Sequence, residues 1–112
     1  MKKGEIYIAD LNPTQGSEIS KKRPVIIFQN EIACNYGNTL TIIPISSKSY
    51  KNRVFEVFIP KTHNNKLFCD SKALVNQVRT IDKVRLQKQL GVLDSDMMVE
   101  LEQKLKLHLE IV

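Results

Sequence analysis

The chain has 112 residues, 42% hydrophobic and 26% charged, and a formal net charge of +5. That balance excludes a disordered chain and, at this length, two separate cores, so one domain spanning residues 1–112 is expected. The excess of cations suits an anionic partner, nucleic acid or an acidic protein, and carries no information about fold.

Residues 5–11 read as a first strand, with Ile6 and Ile8 on one face and Tyr7, Ala9 and Leu11 on the other. Both faces are apolar, as in a strand sandwiched within a small barrel. Asn12-Pro13 ends it with turn chemistry, and 14–22 is a long polar loop containing Gly16. Residues 24–30 form a second strand whose first residue is Pro24, where no ladder donor is needed. Residues 31–38 read as a loop, and 39–45, rich in β-branched side chains, as a third strand. The polar, basic stretch 46–52 is an exposed loop before a fourth strand over 53–60. A hairpin-like connection over 61–66 leads to a fifth strand over 72–81. Asp82 caps a single turn through Leu86, and 89–93 is a short closing strand with Gly91 as a bulge. Asp94 then caps a helix with Met97, Met98, Leu101, Leu105 and Leu109 along one side. On that helix Glu100 with Lys104, and Glu102 with Lys106, stand in the favourable order for helical ion pairs. These elements predict an α+β domain: a small, partly open antiparallel β-barrel with a C-terminal α-helix packed on it.

Cys34 and Cys69 stand far apart, in no zinc-like spacing, which predicts two free, buried thiols in a reducing compartment. The N-terminus is not followed by a signal-peptide core, and no stretch approaches a membrane span, so a cytoplasmic protein with no membrane contact is expected. The five Asp residues are scattered, and His63 and His108 are isolated and read as surface residues, so neither a metal site nor a cofactor is expected. The four Gly residues are too dispersed to build a phosphate-cradling loop.

What remains is a set of polar residues at strand ends and in loops: Glu18, Arg23, Ser46, Ser47, Gln77, Arg79 and Thr80. Arg23 is the sharpest of them. It closes the run Lys21-Lys22-Arg23 and precedes Pro24, which pushes its backbone toward the extended region. A planar, permanently charged fork is thereby held at the rim of a stiff element, and that fork is well suited to grip a phosphate. Glu18 lies in the same loop, so an acid and an anion clamp can share one mouth.

Gly4-Glu5-Ile6-Tyr7, Asp10-Leu11-Asn12-Pro13, Gly16-Ser17-Glu18 and Arg23-Pro24-Val25-Ile26-Ile27 together resemble the N-terminal signature of the MazF/PemK family of toxin endoribonucleases. Pro44-Ile45-Ser46-Ser47 resembles that family's second motif and Val75-Asn76-Gln77-Val78-Arg79-Thr80-Ile81-Asp82 its third. The resemblance implies an SH3-like barrel, a homodimer, and the toxin half of a type II toxin–antitoxin pair. It also implies metal-independent, sequence-specific cleavage of single-stranded mRNA, which arrests translation and growth. By position, Arg23 corresponds to the family's essential arginine and Glu18 to the acidic residue of its first loop; Ser46 falls where many members carry threonine. This makes Arg23, Ser46 and Glu18 the expected catalytic set, with Ser46 or Ser47 supplying the hydroxyl. Lys21, Lys22, Ser47, Lys48, Tyr50, Gln77 and Arg79 are the expected RNA contacts, Tyr50 by stacking a base. The implied partner is a cognate antitoxin whose acidic, partly disordered C-terminal tail crosses the basic groove. Two other activities fit the same barrel: a gyrase-poisoning toxin and a non-catalytic RNA-binding domain.

Overall fold

The computed structural model describes residues 1–19, 21–48 and 53–111. Strands β1 (Glu5–Asp10), β2 (Lys22–Ile27), β3 (Thr39–Ser46), β4 (Glu56–Ile59), β5 (Ser71–Leu74), β6 (Arg79–Asp82) and β7 (Leu86–Val92) alternate with helices α1 (Glu31–Tyr36) and α2 (Ser95–Leu109). The strands are hydrogen-bonded in the order β4-β5-β3-β2-β1-β7, with β6 also on β3, and each pairing is antiparallel. The sheet is bent but not closed, and α2 packs on one side of it. No described helix is long and apolar enough to cross a membrane.

The alternation along β1, β2 and β3 explains why both faces are apolar. Ile6, Ile26, Ile43 and Ile45 point into one core, where Leu101 of α2 is fully buried and Met97, Met98 and Leu105 pack beside it. Ala9, Leu11, Val25, Ile27, Leu40 and Ile42 point into a second core on the other face, shared with Ile19, Leu74 and Ile81. Each fully buried Leu or Ile contributes about 1.5–3 kcal/mol, so these strands are held from both sides. Both cysteines are free thiols, but only Cys34 is buried as expected, in the second core; Cys69 lies in the connection before β5 and is exposed.

Several elements depart from expectation. Residues 31–36 form a helix because the Asn30 side chain accepts from the Ile32 N–H at 2.8 Å and closes its first turn. The span expected as one fifth strand is two, separated by a 3₁₀ turn at Val75–Gln77. The turn lets β5 pair with the end of β3 and β6 with its beginning. Another 3₁₀ turn, Arg53–Phe55, occupies the start of the expected fourth strand. Asp94 stands at the α2 N-cap without capping it: its carboxylate accepts from the Asn64 amide at 3.0 Å and ties the 61–66 turn to the helix. His108 is half-buried, edge-on to the Phe55 ring with centroids 4.8 Å apart, and Leu109 is exposed.

The closing strand forms, as Leu86–Val92 instead of 89–93, and its bulge falls one residue before Gly91. Ile6 pairs with Gly91 and Tyr7 with Gln89, so Leu90 is the extra residue. A Cβ on Gly91 would lie 2.5 Å from the carbonyl oxygens of both Asn64 and Asn65. Those oxygens are backbone, and the turn that carries them is fixed by Asn65, whose fully buried amide bonds Thr62, Leu67 and Pro60. Gly91→Ala is therefore expected to destabilise the fold by about 1–3 kcal/mol, read as a lowered urea midpoint with unchanged slope.

Candidate active site

The site originates in a ladder that stops. β2 and β3 pair at Ile27↔Ile42, Ile26↔Ile43 and Val25↔Pro44, and the pairing ends there. Pro24 and Pro44 carry no N–H, so the bonds that would extend this ladder lack donors. Pro24 is the third residue of β2, not the first, and sits where the strand is paired to β1 alone, opposite Ile8. Continuing the β2–β3 register would set Arg23 across from Ser46. At that level β3 is paired on its other edge, to β5, through Ile45↔Ala73 and Ser46↔Lys72. The two strands part, and a hollow opens between Arg23 and Ser46.

The hollow has a volume of about 400 Å³ and brings together Glu18, Lys21, Arg23, Ser46, Ser47 and Lys48. A second compartment, about 300 Å³, shares Arg23, Ser46 and Ser47 and continues past Lys22 to Phe68 and Ser71. Arg23 is half-buried, and Ser46 at the end of β3 is 3% exposed. The Ser46 hydroxyl accepts from the Lys48 N–H at 3.1 Å, which fixes both the oxygen and the chain that turns away after it. Lys21, Lys22, Arg23 and Lys48 face one carboxylate, that of Glu18, across the two compartments, leaving a field that attracts anions.

The loop carrying Glu18 is held at several points. Glu18 accepts from the Gln15 N–H at 2.7 Å and returns its own N–H to the Gln15 carbonyl at 3.1 Å, closing a tight turn. Lys21, at φ 75°, reverses the chain, with its N–H on the Asn12 side chain and its carbonyl accepting from the Leu11 N–H. Between these, Ile19 plugs into the second core, 4% exposed. The Gln77 side chain spans the gap as a peptide group would. Its oxygen accepts from the Ile19 N–H, and its amide nitrogen donates to the Ser17 carbonyl, each at 3.2 Å.

Gln77 and Arg79 line neither compartment. Gln77 positions the loop, and the guanidinium of Arg79 has its buried Nη1 without a hydrogen-bond partner among the described residues. Asp82, at the far end of β6, caps the following turn as expected, accepting from the Val84 N–H at 2.9 Å. Thr80 is exposed on β6, and Tyr50 lies outside the described residues. Sequence reasoning missed Phe68, an aromatic in the polar connection before β5 whose ring is 75% exposed at the second compartment. A larger hollow of about 780 Å³, between the 61–66 turn and the start of α2, shares no residue with these and contains no arginine. Among the described residues, no three His, Cys, Asp or Glu side chains converge as metal ligands.

Residues 2–109 match the family described as PemK-like, MazF-like toxin of type II toxin-antitoxin system. The chain is similar to Endoribonuclease MazF of Staphylococcus epidermidis, 35% identical over 109 residues that cover 97% of this chain and 91% of that protein. Its fold is similar to the crystal structure of MazF from Deinococcus radiodurans, with a TM-score of 0.86 at 23% identity, covering 99% of this chain and 97% of the other. It is also similar to the MazE–MazF structure from the same organism, with a TM-score of 0.77 at 20% identity, covering 100% and 97% of the two chains.

Loss of the Gln77 tie should loosen the loop more than the fold. Gln77→Ala is expected to lower stability by about 1–2 kcal/mol and to speed hydrogen exchange at the Ile19 amide about tenfold relative to the β2 amides.

Proposed function

The chain belongs to the PemK-like, MazF-like toxin family of type II toxin–antitoxin systems, and we propose that it is a metal-independent endoribonuclease toxin acting on single-stranded RNA. The observation that carries this reading is the meeting of a guanidinium, a buried hydroxyl and a carboxylate (Arg23, Ser46 and Glu18) at one anion-attracting hollow.

In the proposed reaction the ribose 2′-oxygen bonds to phosphorus while its proton passes to the Glu18 carboxylate. The bond from phosphorus to the 5′-oxygen breaks, and that oxygen takes up a proton from water to leave as a hydroxyl. The other product is a 2′,3′-cyclic phosphate. Negative charge rises on the phosphorane oxygens, and Arg23 neutralises it with a charge-assisted contact set by the backbone of β2. Ser46 orients the phosphate. Its oxygen already accepts from Lys48, so its own proton is directed to another acceptor, a phosphate oxygen in this reading. Ser47 is exposed and contributes at the rim. Lys21, Lys22 and Lys48 hold neighbouring phosphates, a role that makes affinity fall as salt rises.

The toxin acts as a cytoplasmic homodimer, and its block of translation follows from cutting mRNA. Its inhibitor is an antitoxin with an acidic segment. The net charge of +5 and the cation-lined hollow favour such a segment over the same surface that takes RNA, so inhibitor and substrate compete.

A long RNA incubated with the protein and EDTA should give discrete fragments with 5′-hydroxyl ends. Arg23→Ala should keep its thermal midpoint and lose about a hundredfold in kcat, the effect of one missing electrostatic contact in the transition state. Ser46→Ala should lose activity where Ser47→Ala keeps most of it. An Arg23→Ala protein that cuts at the normal rate removes the arginine from the mechanism.

A further inference from the structure

The compartment beyond Arg23 and Ser46 differs in character from the one beside Glu18. Its floor is apolar, made by Pro24, Ile45 and Leu67, with Ser71 at its far wall and Phe68 at its lip. The backbone around Phe68 is pinned on both sides. Leu67, 2% exposed, donates its N–H to the buried Asn65 side chain at 3.0 Å, and the Ser71 hydroxyl donates to the Cys69 carbonyl at 2.9 Å. Yet the ring between these anchors is 75% exposed. A large aromatic left in water on a fixed backbone offers a flat apolar face that is already ordered before anything binds.

We infer that this compartment is a nucleobase subsite, seating one of the two bases that flank the scissile phosphate with its face stacked on Phe68. The inference rests on the RNA-cleaving reading of the adjoining hollow. Continuity supports it: Arg23, Ser46 and Ser47 line both compartments, so a nucleotide spanning the boundary places its phosphate over the arginine and its base beside the ring. Lys22 stands at the same compartment to take the next phosphate. An acidic peptide would meet the lysine but has no use for an exposed aromatic face above an apolar floor. Bases within a duplex are stacked on each other and cannot reach the ring, so the subsite selects single strands.

The test couples one ring to one base. After the cut position is mapped on a long RNA, short oligonucleotides are made with an abasic residue at one flanking position at a time. With the wild-type protein, removing the base at one of the two positions should raise KM about tenfold or more with kcat little changed. Phe68→Ala should raise KM by a similar factor on the intact oligonucleotide and be indifferent to the abasic residue at that position. Phe68→Leu, which keeps apolar area without the ring, should behave as the alanine variant does and guards against a folding defect. Tyr36→Ala, removing a still more exposed aromatic on α1, should change nothing. Effects of ring and base that simply add at both positions overturn the subsite while leaving cleavage intact. Binding of an oligonucleotide carrying 2′-deoxyribose at the cut position separates the two readings. If its Kd shows the coupling but the wild-type protein cuts no RNA, the nuclease reading fails and the base site stands.

Discussion

The parting of β2 and β3 is the constraint on which the rest depends. Two strands that pair in register through Val25↔Pro44 reach prolines that cannot supply the next donors. β3 runs on with β5 along its other edge, and the backbone gap left on the β2 side is the hollow. Arg23 is held there by a strand and not a loop tip, and Ser46 is the final residue of the strand opposite. Ladder chemistry thus sets the site's geometry, and the packing of both sheet faces keeps the strands in place.

The remaining wall of the hollow is a loop, and its order has to come from elsewhere. Its polar backbone groups are answered by Asn12, Gln15 and Gln77, and its one apolar residue, Ile19, is drawn into the core. A loop fixed by hydrogen bonds and a single plug is stable enough to present Glu18 and Lys21. Around Arg23, one wall is thus held by side-chain hydrogen bonds and a plug, and the other, at Phe68, by pinned backbone on both sides.

Much of this was legible in the residues. Strands apolar on both faces announced a sandwiched sheet, the Met and Leu spacing announced α2, and Gly91 marked the bulge to within one residue. The basic run before Pro24 placed Arg23 at a strand rim. What escaped detection followed from contacts between distant parts of the chain. Residues 72–81 look like one strand because each half is β-prone; only the need to pair with two ends of β3 breaks it at Val75–Gln77. Asp94 has the right type and place for a cap, but Asn64, distant in sequence, claims its carboxylate. The partners of Gln77 lie in the first polar loop, a pairing that no local pattern encodes. The helix after Asn30 was the exception, since its cap signal was present and was outweighed by the turn residues that follow.

β1 finds its second neighbour in β7, so the strand nearest the N-terminus is edged by one nearest the C-terminus. The core beneath α2 is likewise completed by C-terminal residues, Leu93 and Leu101 with Met97, Met98 and Leu105 beside them. A chain still emerging from the ribosome therefore carries Arg23 and Ser46 long before it can brace the strands that hold them.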